Sequence, residues 1–190
     1  MTMDEDRRVA DWDTARVRER VAALAAADFG HERFGAADHG YRLRLALGEE
    51  AVREFEQRHG VRLPVSYRSF VTQVADGGAG PDHGVLGLLE EPADEETALH
   101  GERADALRPG FLATPFPHSA ARPRRAGYAL TGSLVIGESG CGQFSRLVVT
   151  GPAAGQVWLD DQVWGGLRPG PDFADWYLGW LGVEGPARRP

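Results

Sequence analysis

The chain contains no lysine: all 21 of its basic residues are arginines, set against 28 acidic residues and a formal net charge of -7. Direct binding of nucleic acid wants a basic footprint, and this balance argues against it. It favours a basic partner, because complementary potentials speed encounter and suppress wrong partners. The arginine-only usage reads as codon bias of a GC-rich genome, since no arginine cluster is dense enough to mark a recognition patch. A single cysteine, Cys141, excludes an intrachain disulfide. No apolar run approaches the ~20 residues that span a bilayer, and the charged residues 1–8 lack the apolar core of a signal peptide. The expected location is the cytoplasm, away from any membrane. His31, His39, His83 and His118 read as loop residues, without the helical pairing or cysteine partners of a metal site. The glycines at 77–80 follow a helix instead of opening one, and Pro81 removes a donor, so they form a turn and not a phosphate cradle. No catalytic set, metal ligand or cofactor is expected.

What is present suits one folded unit. At 190 residues, 42% hydrophobic and 26% charged, the chain can bury roughly 70% of its unfolded surface. Val17, Val21 and Leu24 predict a helix through about Ala27, capped by Asp13. Tyr41, Leu43 and Leu45 alternate with Arg42 and Arg44 as in an extended arm. Val52, Phe55 and His59 share one face of a helix over 49–59, stopped by Gly60. Leu63-Pro64 opens a third helix, where the missing proline N–H costs nothing, and Tyr67, Phe70, Val71 and Val74 make its apolar stripe. A short strand follows at 85–89. Residues 90–127 are acidic, then proline-rich, then basic, and read as a long excursion with a short helix over 97–107. Strands at 128–136, 144–150 and 155–160 with short links predict an antiparallel meander. Asp172 opens a last helix bearing Phe173, Trp176, Tyr177, Trp180 and Leu181, with Trp176 and Trp180 expected to join Phe70 in the core. The expected division is an N-terminal helix and arm (1–46, frayed over 1–10), a domain (47–181) and a loose tail (182–190).

The order of these elements resembles the SUKH superfamily, in its Smi-one/Knr-four-like branch. The resemblance rests on Phe55-Glu56, the Gly60-Val61-Arg62-Leu63-Pro64 joint with Tyr67 and Phe70 behind it, and Asp76-Gly77-Gly78. It continues through the glycine-rich turn at 137–142, residues 147–151, Gly155-Gln156-Val157-Trp158 and the Phe173/Trp176/Trp180 helix. It implies an α+β fold, a mostly antiparallel curved sheet flanked by helices, here with an extra N-terminal helix. It also implies a binding role: many bacterial members are thought to be immunity proteins that neutralise toxins, and fungal relatives regulate through protein contacts. It carries over no catalytic residue. The chain departs at Gln143, where many relatives have an acidic residue.

Glu90, Glu91, Asp94, Glu95 and Glu96, with Asp160 and Asp161, are the candidate acidic face for a protein partner, a basic toxin domain in the leading reading. Trp164, between Val163 and Gly165-Gly166, is the candidate exposed aromatic anchor. Two other readings stand beside this one: an intracellular regulatory scaffold binding a protein or small molecule, and an enzyme using Cys141 with His83 or His118.

Overall fold

The structure is a computed structural model that describes residues 12–90, 98–123 and 128–183. The expected frayed start, the tail from 184 onward, and Glu91, Asp94, Glu95 and Glu96 lie outside the described residues. The helices are α1 (Thr14–Ala27), α2 (Ala36–His39), α3 (Glu49–His59), α4 (Val65–Ser69), α5 (Ala98–Ala106) and α6 (Phe173–Leu181). The strands are β1 (Ser133–Gly140), β2 (Gln143–Val148), β3 (Val157–Asp161) and β4 (Gly166–Arg168), an open antiparallel meander in the order β1-β2-β3-β4. The fold class is therefore the expected α+β.

Local chemistry sets most helix ends. Asp13 accepts the Arg16 N–H at 2.9 Å and starts α1. Asp172 accepts the Ala174 N–H at 2.9 Å and starts α6, which Gly182 closes in the left-handed conformation. Gly60 closes α3 in the same way. The third predicted helix departs from expectation. It is α-helical only to Ser69 and then winds as a π turn over Phe70–Val74, with Ala75 N–H reaching the Phe70 carbonyl at 3.1 Å. Phe70, Val71 and Val74 are nevertheless fully buried.

Alternation along the strands buries both faces of the sheet. Leu134, Ile136, Leu147, Val149 and Val157 face the helices, where Tyr67, Phe70, Phe173 and Tyr177 form the main core. Val148, Trp158 and Leu167 face the other way, covered by Phe116 from the excursion. The described part of the excursion is thus packed structure, with Ala106, Leu112 and Phe116 buried. Trp12 lies edge-on to Phe70 at 5.2 Å and donates its indole N–H to the Ser66 carbonyl at 3.0 Å, so it anchors the N-terminal segment to the core.

Several boundaries differ from the sequence reading. The first strand begins at Ser133, not 128, and runs through the glycines to Gly140, with register shifts at Val135/Gly137 and Glu138/Gly140. Glycine-bearing bulges absorb a run that reads as a turn. The expected strand at 85–89 is reduced to one bridge, Gly78 with Val85. The three-residue β4 carried no periodic signal. Trp176 and Trp180 are half-buried at the edge of the core, whose centre is taken by Phe173, Tyr177 and Leu181 from the same helix.

Candidate functional surface

Asp160 and Asp161, expected on an acidic contact face, end β3 and are both buried. Asp160 accepts the Arg146 Nε–H at 2.7 Å and the Tyr128 hydroxyl at 2.6 Å. Asp161 turns back on its own chain: its Oδ1 accepts the N–H groups of Val163 at 3.2 Å and Trp164 at 2.9 Å. The Trp164 N–H, with those of Val163 and Gly165, holds this carboxyl below the ordinary aspartate value. Both carboxylates serve the fold, and Asp161 shapes the turn that presents the tryptophan. Across the sheet it faces Gln143, whose amide donates to Oδ2 at 3.4 Å. A carboxylate in place of Gln143 would set two like charges opposite each other.

Trp164 stands clear of the molecule, 86% exposed, beside the half-exposed Val163. Its turn rests on the neighbouring hairpin. Gln162 N–H donates to the Gly142 carbonyl at 2.9 Å, and Val163 Cγ2 lies 3.3 Å from the place a Cβ on Gly142 would occupy. That hairpin turns at Cys141-Gly142, with φ of +53° and +74°, the two left-handed residues that match the twist of paired strands. Cys141 is exposed, and no hydrogen bond joins its thiol to His83 or His118. His118 instead contacts the Ala129 carbonyl at 2.8 Å.

The next tip along this end of the sheet belongs to His83. Its Nε2 lies 3.6 Å from the Cβ position of Gly140, its Nδ1 meets Asp38 Oδ2 at 2.7 Å, and the Phe34 ring packs on it at 4.9 Å. Phe34, 63% exposed, sits in a loop organised like the Trp164 turn. Asp28 gathers the N–H groups of Glu32 at 2.7 Å and Arg33 at 3.2 Å and the Tyr41 hydroxyl at 2.5 Å. The Tyr41 hydroxyl first, then those amides, holds the Asp28 carboxyl low. Phe29 protrudes from the same loop. Two buried carboxylates therefore stiffen two loops that each carry an exposed aromatic, and the hairpin tip lies between them.

Behind His83 is a cavity of about 270 Å³ lined by Asp38, Arg42, Arg44, His83 and Glu90. Glu90 is not a free acidic contact: it pairs with Arg44 at 2.5 Å and accepts the Gly87 N–H at 2.9 Å. Burial pushes its carboxyl up, but Arg44 and that amide outweigh burial and hold it below the ordinary glutamate value. Among the described residues, no three His, Cys, Asp or Glu side chains gather as metal ligands, and no helix is long and apolar enough to cross a membrane. Of the residues proposed for partner contact, Trp164 alone among the described ones presents its side chain freely. Phe34 and the His83–Asp38 pair went unread, because neither lies in a periodic segment.

A model of the SMI1 / KNR4 family (SUKH-1) matches residues 46–178. No curated protein and no solved structure matches the chain.

Proposed function

The chain belongs to the SMI1 / KNR4 family (SUKH-1), and from that premise we propose that it is an immunity-type binding protein that neutralises a cognate toxin by covering it, without chemistry of its own. The observation that carries this reading is Trp164: a large aromatic, 86% exposed, on a turn pinned by a buried carboxylate. An exposed tryptophan is costly to leave in water, and a backbone already pinned at the turn loses little freedom on docking, which makes it a natural anchor. Val163 and Phe34 extend the apolar contact, and the exposed Asp38 adds acidity beside them. The net charge of -7 suits a basic partner domain. Glu91, Asp94, Glu95 and Glu96 would add to that attraction from the segment before α5. In this reading the partner is a protein, met in the cytoplasm; nucleic acid and membrane are not contacted.

The test is capture of the toxin candidate encoded beside the gene, together with protection of cells that express it. Trp164→Ala should weaken capture about 30-fold, the effect of a hot-spot residue worth about 2 kcal/mol. Association should slow as salt is raised through the physiological range. Absence of protection by the unaltered chain, or full-strength capture by Trp164→Ala, would overturn the proposal.

A further inference from the structure

The excursion helix α5 is tied to the sheet by two consecutive residues. Arg103, fully buried, donates to the carbonyls of Val135 at 2.6 Å, Gly87 at 2.5 Å and Leu88 at 2.7 Å. The fixed fork of a guanidinium suits that arrangement. Glu102 uses its two carboxylate oxygens on different partners: Oε2 accepts from the buried Arg146, and Oε1 accepts from the side-chain amide of Gln162. Gln162 is the residue after Asp161 and stands two before Trp164. Arg146 in turn holds Asp160 at 2.7 Å. A continuous polar chain thus runs from α5 through Gln162 to the turn that presents the tryptophan.

We propose that Glu102 is a positioning residue for the Trp164 turn, acting through Gln162, so that the excursion helix and the recognition turn behave as one rigid unit. The turn hangs from a strand end by Asp161 on one side and from α5 by Gln162 on the other. Without that tie, Asp161 and the Gln162 N–H bond to the Gly142 carbonyl would have to keep the short loop between β3 and β4 in place. A pre-set turn saves the ordering cost that a loose one would meet on docking. The proposal's meaning for binding rests on the reading of Trp164 as the partner anchor; its geometric content does not.

Amide hydrogen exchange on the full-length chain tests it without a partner. Gln162→Ala cuts the tie while leaving Arg146, Asp160 and Glu102 together. It should speed exchange at Val163 and Trp164 about tenfold, as loss of a charge-assisted hydrogen bond does, with the amides of β1 and β2 unchanged. Glu102→Ala should speed the same two amides, and Glu102→Gln, which keeps an acceptor, should restore most of the protection. Unchanged exchange at Val163 and Trp164 in Gln162→Ala overturns the proposal. So does equal acceleration across the whole sheet, which would mark a general stabilising role. A loosened turn in a variant that still captures its partner at full strength would instead count against Trp164 as the anchor and leave the positioning role standing.

Discussion

Residue by residue, the acidic side chains of this protein divide by what they hold. Asp160 sits beneath the surface with Arg146 and the Tyr128 hydroxyl on its oxygens, while Trp164 touches little but water. Opposite mutational behaviour follows. Asp160→Ala should cost about 3 kcal/mol, because the buried Arg146 keeps only Glu102 as a counter-charge and the Tyr128 hydroxyl loses its acceptor. Trp164→Ala should leave stability within about 0.5 kcal/mol. Urea unfolding of the two variants measures both. A loss below about 1 kcal/mol for Asp160→Ala would contradict its structural assignment. The same contrast explains why charge alone misreads β3: two adjacent aspartates look like a docking patch until the partner of each oxygen is known.

Among the elements, the N-terminal helix is more than an appendage. The residues just before it send Trp12 against Phe70, Phe173 and Tyr177, all edge-on, at 5.2, 6.2 and 5.9 Å. Such contacts add to the area the ring buries. Trp12→Ala should destabilise the whole fold by about 3 kcal/mol, and should lower the melting temperature in one cooperative step. A separate early transition, with the remainder melting unchanged, would show that α1 docks independently. Periodicity located α1, α3 and α6 to within a residue or two, because helix stripes and caps are local. It missed the π turn, since Tyr67, Phe70, Val71 and Val74 have the same spacing in either winding. It ended the first strand too early, because glycines that usually break a strand here sit in bulges paired to β2.

For the molecule as a whole, acid should act in two stages. Burial, first of all, pushes the imidazoles of His39 and His59 below the ordinary histidine value. The unfolded chain therefore takes up protons near pH 6.5 that the folded chain refuses. The stability these groups contribute is present above that pH and is lost as pH falls through their lowered folded values. Glu49, Asp28 and Asp161 are also held low, Glu49 first by Arg68. Their contributions persist to the ordinary carboxylate range near pH 4 and vanish below it. Asp76, raised by burial, acts the other way: its contribution is present at low pH and is lost as pH rises through its folded value. The urea midpoint should fall from pH 7.5 to 5 and fall again below 4, and His59→Gln should flatten the first decline. A midpoint constant down to pH 5 would refute the histidine assignment.

The amino-acid order by itself determined α1, α3, α5 and α6, three strands of the antiparallel meander, the family likeness and the tryptophan-bearing loop, because stripes, caps and a glycine-flanked aromatic depend on near neighbours. Only the tertiary structure decided what the charges do. The carboxylate of Asp160 finds its guanidinium 14 residues away, and Arg146 finds Glu102 at a separation of 44. Phe34 and Trp164 share one end of the molecule because the loop before the second helix packs on His83, and His83 lies against the same hairpin on which the Trp164 turn rests. Pairings over such separations are set by how the sheet and its covering helices close, and no local pattern encodes them.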